Sequence, residues 1–236
     1  MFIRVSSLAS GVRKQTVNAV VLLAFLSSCT MAQFLNSMDE TRIAYDYNPV
    51  PESKFGIVLV HMLPASKESW QPLIPSLTKA GYSTIAIDYR GRGRSTGHLE
   101  ASQDYQDIAL DVDAAITFLF ANGITKVIVI GGSIGANHAL LAIARDDRVV
   151  AAVLLSPGLN YRGVNIEETS KRITKPILII ASEDDAYSAE SSRSLNASLS
   201  GRHEIISYKN AGHAEKMLTQ PDINEKIVAF LNSVKR

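Results

Sequence analysis

The chain has 236 residues, 46% of them hydrophobic and 20% charged, with a formal net charge of +1. That is enough chain to bury a core without help from metals or disulfides, and so even a charge balance gives no footing for a nucleic-acid partner. A single cysteine excludes an internal disulfide framework and any cysteine-cluster metal site.

The first element is a leader rather than part of a fold. Arg4, Arg13 and Lys14 precede the apolar run VNAVVLLAFL from Val17 to Leu26. Spanning a bilayer takes about 20 residues. A basic flank, a short apolar run and small residues are instead the pattern of a secretory signal peptide. Leu26-Ser27-Ser28-Cys29 follows, and it resembles the lipobox of bacterial lipoproteins. That resemblance implies loss of residues 1–28, lipidation of Cys29, and a mature domain over 29–236 held at a membrane by acyl chains. With Thr30 rather than aspartate next, it implies an outer-membrane lipoprotein facing the periplasm of a bacterial envelope. Secretion without an anchor is the alternative.

Beyond Cys29 short apolar runs alternate with amphipathic stretches. Phe55–Val60, Thr84–Ile87, Val127–Ile130, Val149–Leu155 and Ile177–Ile180 are rich in Val, Ile and Leu without polar alternation. Strands buried on both faces of a parallel sheet read this way. Glu204–Tyr208 is more polar and suits an edge. Ile108, Val112, Ala115, Ile116 and Leu119 recur at helical spacing, as do Ile223, Ile227, Phe230, Leu231 and Val234. A helix is also expected after Ser133, packing through Ala136, Leu140, Ile143 and Ala144. Strand–helix alternation along the chain predicts an α/β protein with an open, mostly parallel sheet and helices on both faces. Function in such sheets sits in the loops at the carboxyl ends of the strands.

Three of those loops carry chemistry. Gly131-Gly132-Ser133-Ile134-Gly135 fits G-x-S-x-G between a strand and a helix. A serine hydroxyl is a poor nucleophile unless a base takes its proton and an acid orients that base. Glu183, Asp184 and Asp185 follow a later strand, and Asn210-Ala211-Gly212-His213 follows the last one. His61, His98, His138 and His203 read as surface or structural histidines, leaving His213 as the base.

The order serine, acid, histidine resembles that of the α/β-hydrolase family. Two further stretches carry the likeness. His61-Met62-Leu63-Pro64 is similar to the family's His-Gly-x-Gly oxyanion loop, with Met62 and Pro64 replacing glycines. Asp88-Tyr89-Arg90-Gly91-Arg92-Gly93-Arg94-Ser95 is similar to its D-x-R-G-x-G-x-S loop. The resemblance implies an α/β-hydrolase fold of about six to seven strands and a Ser133, Asp185, His213 triad. Asp184 remains the alternative acid, since Ser182 stands where the family has glycine. It also implies oxyanion donation by the Leu63 and Ile134 N–H groups, and a need for neither metal nor cofactor. In this reading Arg90 organises its loop, while Arg92 and Arg94 are solvated.

Between Ser133 and Asp185 there is little room for a cap, which points to a minimally covered cleft like that of small esterases and dienelactone-hydrolase-like members. Those dienelactone enzymes use cysteine where this chain has Ser133, so their reaction does not carry over. The expected activity is hydrolysis of a small-molecule carboxylic ester. A peptidase or thioesterase would use the same triad, and a non-catalytic binding protein would use the same fold. A nucleotide-binding protein would need a glycine loop where His61–Pro64 stands.

Overall fold

The computed structural model of the chain describes residues 33–235. Cys29 and the expected signal peptide lie outside the described residues. In chain order the elements are β1 (Gln33–Asn36), β2 (Arg42–Asn48), β3 (Phe55–Val60), α1 (Ile74–Lys79), β4 (Ser83–Ile87), α2 (Ser102–Ala121), β5 (Lys126–Gly132), α3 (Ile134–Arg145) and β6 (Val149–Leu155). There follow β7 (Asn160–Tyr161), β8 (Val164–Asn165), α4 (Glu167–Ser170), β9 (Ile177–Ser182), α5 (Ala186–Ser198), β10 (His203–Tyr208) and α6 (Ile223–Val234). Short 3₁₀ turns occupy Lys67–Trp70 and Ala214–Thr219.

Eight strands form one sheet in the order β1-β2-β4-β3-β5-β6-β9-β10. The pairs from β4 to β10 are parallel, while β1–β2 and β2–β4 are antiparallel. Side chains alternate across a strand, so one apolar run feeds two cores. Val127 and Val129 of β5 pack with Val58 and Leu154 beneath α2 and α3, through Ile108, Val112, Ile116, Leu140 and Ile143. Ile128 and Ile130 face the other way, onto Leu77 of α1 and Ile227, Phe230 and Leu231 of α6. Each such fully buried aliphatic side chain stabilises the fold by roughly 1.5–3 kcal/mol.

The sheet exceeds the six to seven strands expected from sequence, because β1 and β2 belong to it. β2 reads Arg-Ile-Ala-Tyr-Asp-Tyr-Asn and is half-exposed beyond Ala44. A strand paired antiparallel on both sides can leave one face partly solvated and needs no continuous apolar run, so it leaves no strong pattern. Beyond β6, the β7–β8 hairpin and the single turn of α4 are all that stands in the place of a cap.

Candidate active site

Ser133 sits where β5 ends and α3 begins. Its backbone is at φ 55°, ψ −119°, a region L-residues adopt only when the surroundings enforce it. The neighbours allow the turn by lacking side chains. A Cβ on Gly131 would lie 2.0 Å from the Gly135 carbonyl oxygen, and one on Gly135 would lie 2.1 Å from that of Val60. Ser133 N–H donates to the Leu155 carbonyl at 2.8 Å, tying the turn to the end of β6.

The loop after β9 carries both candidate acids. Asp185 Oδ2 lies 2.5 Å from His213 Nδ1. Asp184, one residue earlier, points elsewhere: it accepts from Ser182 Oγ and from Gly212 N–H at 3.3 Å. The Ser182 hydroxyl in turn accepts from Ala211 N–H at 2.8 Å. Ser182 and Asp184 therefore fix the backbone that carries His213, while Asp185 meets the ring.

β10 is three strands away from β5, so the histidine loop must fold back over the sheet edge. It does so through Ala214, whose N–H donates to Ser156 Oγ at 2.9 Å, beyond the end of β6 and next to Ser133. Ser156 and Ala214 both take positive φ, 49° and 52°. Tyr161 of β7 leans on this junction. Its ring meets the His213 ring edge-on at 6.3 Å, and its hydroxyl donates to the Ser156 carbonyl at 3.3 Å. Burial, then the Asp185 charge, push the Tyr161 phenol above its ordinary pKa, and the Ser133 hydroxyl opposes them. The ring of His213 and the carboxylate of Asp185 keep side-chain exposures of 31% and 19%, so the site is open to small molecules.

Leu63 follows β3, and Ile134 is the first residue of α3, directly after Ser133. Both backbone polar groups of Met62, next to Leu63, are engaged. Its N–H donates to Glu215 Oε1 at 2.7 Å, and its carbonyl accepts from Ala65 N–H at 3.0 Å and meets His61 Nδ1 at 2.8 Å. His61 stacks on Tyr89 and is fully buried, and burial pushes it down to about 4, so it is a neutral structural histidine. His138 is also buried, with Nε2 2.9 Å from the Tyr105 carbonyl and burial holding it at about 3.

Asp88 accepts from Lys67 N–H at 2.8 Å and Arg94 N–H at 3.0 Å. Arg90 reaches Asp111 at 2.7 Å and Asp39 at 2.7 Å, and so organises its loop as expected. Arg92 departs from the expectation of a solvated side chain: its guanidinium donates to the Pro64 carbonyl on the loop after β3. Glu215, Tyr161 and Arg92 are thus site neighbours that sequence reasoning did not assign. A depression of about 630 Å³ near Arg145, Arg172 and Lys175 lies by the carboxyl end of α3 and the start of β9, at the end of the strands opposite Ser133, and is lined by none of Ser133, Asp185 and His213. Among the described residues no cluster of three or more His, Cys, Asp or Glu is arranged to hold a metal. None of the described helices is long and apolar enough to cross a membrane.

A mostly parallel sheet with helices on both faces, and a strained serine at the turn after β5, define this as a protein of the α/β-hydrolase fold. Residues 57–170 match the family model described as alpha/beta hydrolase fold. Over 110 residues, 46% of this chain, it is 34% identical to epoxide hydrolase B of Mycobacterium tuberculosis, a match spanning 30% of that protein. It is 33% identical over 127 residues to a non-heme haloperoxidase of Rhodococcus erythropolis, covering 52% of this chain and 43% of that one. Among solved structures, an esterase of Pyrococcus furiosus superposes with a TM-score of 0.74 at 18% identity, covering 86% of this chain and 90% of the other. Est1E of Butyrivibrio proteoclasticus, solved with ferulic acid, gives 0.74 at 16% identity, over 86% and 99%.

Proposed function

We propose that this protein is a serine hydrolase that cleaves carboxylic esters through an acyl-enzyme intermediate. The observation that carries the reading is the Asp185–His213 pair at 2.5 Å, brought by the Ala214–Ser156 bond to the same sheet edge as Ser133. Ser133 Oγ attacks the ester carbonyl carbon and its proton passes to His213 Nε2. Asp185 holds the other ring nitrogen and compensates the imidazolium. The negative charge that develops on the carbonyl oxygen is met by the N–H groups of Leu63 and Ile134, neither of which has a hydrogen-bond partner among the described residues. Collapse breaks the ester C–O bond, and the leaving alkoxide takes the proton from His213. Water, deprotonated by the same ring, then releases the acid and restores Ser133. The His213 ring makes no hydrogen bond to Ser133 among the described residues, and in free enzymes such bonds commonly tighten only when substrate is seated.

The esterases among the structural neighbours support an ester over other acyl substrates, and the short β7–β8 hairpin supports a small one. Labelling by a fluorophosphonate and hydrolysis of p-nitrophenyl acetate test the reading. Wild type is expected to do both, and Ser133→Ala and His213→Ala neither. A wild type that is neither labelled nor active would overturn it.

The same proposal places the domain on a bacterial outer membrane through lipidated Cys29. Cys29→Ser should move the protein from the membrane fraction to the soluble fraction of the cell envelope. An unchanged distribution contradicts the anchor and leaves the chemistry untouched.

A further inference from the structure

Glu215 is an acid with no part in the triad, yet it lies where three catalytic loops meet. It follows His213 by two positions, on the 3₁₀ turn Ala214–Thr219, and is only 6% exposed. Its Oε1 accepts from Met62 N–H at 2.7 Å, across 153 positions of sequence. Its Oε2 is buried and makes no hydrogen bond among the described residues. The third loop is the serine turn. A Cβ on Gly132 would fall 2.6 Å from Oε2 and 2.7 Å from the carboxyl carbon. Gly132 is not among the residues with positive φ, so its backbone does not demand glycine. Its missing side chain is space for the Glu215 carboxyl.

The Met62 N–H lies in the His61–Met62 peptide plane and the Leu63 N–H in the next plane, joined to it through φ and ψ of Met62. The second plane is held by its own carbonyl, which accepts from Ala65 N–H at 3.0 Å and points away from the Leu63 N–H across the trans peptide. Glu215 holds the first plane, and with both planes held the direction of the Leu63 N–H is set. The anchored Met62 N–H is spent inside the protein, which leaves the Leu63 N–H to face the cleft. Resting on the ester-hydrolase reading above, we propose that Glu215 is a positioning residue for acyl transfer, an inward acceptor that fixes the backbone at Met62 so that the Leu63 N–H is aimed at the oxyanion.

The role needs an acceptor oxygen and not a charge. A full negative charge this close to a developing oxyanion would oppose the reaction. Burial pushes Glu215 up to about 7, which keeps much of it neutral near neutrality, and the carbonyl oxygen of a protonated carboxyl still accepts from Met62. A glutamine amide offers the same oxygen.

The test is steady-state kinetics on p-nitrophenyl acetate with Glu215→Ala, Glu215→Gln, Gly132→Ala and the Glu215→Ala/Gly132→Ala pair, each checked for folding by circular dichroism. An oxyanion donor acts in the transition state, so a misaimed one lowers kcat and spares KM. Glu215→Ala should lower kcat by about ten- to a hundredfold, somewhat less than outright loss of a donor, with KM within about threefold. Glu215→Gln should retain kcat within about threefold. Gly132→Ala should lower kcat in the wild-type background, because its methyl group displaces the carboxyl, and add little to Glu215→Ala.

An unchanged kcat in Glu215→Ala overturns the proposal. So does a folded Glu215→Gln as impaired as the alanine variant, or a Gly132→Ala effect that is the same in both backgrounds. If Glu215→Ala does not fold, Glu215→Gln and Gly132→Ala decide: rescue by glutamine with a kcat loss from Gly132→Ala supports it, and the reverse overturns it. An unlabelled, inactive wild type sinks the hydrolase reading and this one together. An active wild type with an indifferent Glu215→Ala sinks this one alone.

Discussion

Asp184 and Asp185 are neighbours with different partners, and their substitutions should separate cleanly. Asp185→Asn leaves an amide against His213 Nδ1, which favours the wrong tautomer, and kcat should fall by about a thousandfold or more. Asp184→Asn keeps an acceptor for Ser182 Oγ and Gly212 N–H, and kcat should stay within about fivefold. Equal losses in the two variants, measured on one ester, would contradict the division of labour. The spacing of Asp185 from its strand was readable in the sequence, as were the serine turn and the glycine before His213. Glu215 was not. An acid two residues after a histidine in a turn looks solvated, and only the fold back across β6 brings it to Met62. The available signal was Gly132, a glycine at the free position of G-x-S-x-G, where the motif does not call for one.

At the scale of elements, the serine turn is held by the approach of α3 to β3. Gly135 lies so close that a methyl group would sit 2.1 Å from the Val60 carbonyl oxygen, well inside contact distance. Backbone cannot yield there without shifting the helix. Gly135→Ala should therefore cost about 2–4 kcal/mol in thermal or denaturant unfolding, and labelling of Ser133 should fall with it. A variant with wild-type stability would mean that the turn is looser than its contacts imply. Central strands were legible because burial on both faces forces an apolar run; Phe55–Val60 and Val149–Leu155 have the bounds the sequence predicts. β1 and β2 were not, because strands in the antiparallel margin of a sheet are required to be apolar on one face at most. Their hydrogen bonds, not their composition, place them in the sheet.

At the scale of the whole molecule, buried ionisable groups set how stability follows pH. His61 and His138 have folded-state values of about 4 and about 3, below the 6.5 of an exposed imidazole. The unfolded chain then binds more protons than the native one from pH 6.5 downward, and stability falls as acid is added through that window. Glu215 and Asp111 work in the opposite sense. Burial pushes them up to about 7 and about 6, so each contributes stability that is full below its exposed carboxyl value and lost as pH rises through its folded value. Two histidines and two acids nearly offset one another between pH 5 and pH 7, so the melting temperature of the wild type should change little across that window. Glu215→Gln removes one of the acids, and its stability should then fall with added acid by roughly 1 kcal/mol per unit near pH 5.5. A Glu215→Gln melting temperature as flat as that of the wild type would show that these burials are not what governs it.

The amino-acid sequence by itself determined the layered α/β architecture and the three loops on which Ser133, Asp185 and His213 stand. Both are local properties: apolar runs, helical periodicity, and glycines beside a serine at a strand end. Tertiary structure decided what no local pattern encodes. It chose the partner of the His213 ring, gave Arg92 and Tyr161 their places at the cleft, and buried Glu215 between Met62 and Gly132. Each depends on which strands are neighbours, and strand order is fixed by packing both faces of the sheet, long after any one segment has revealed its own preference.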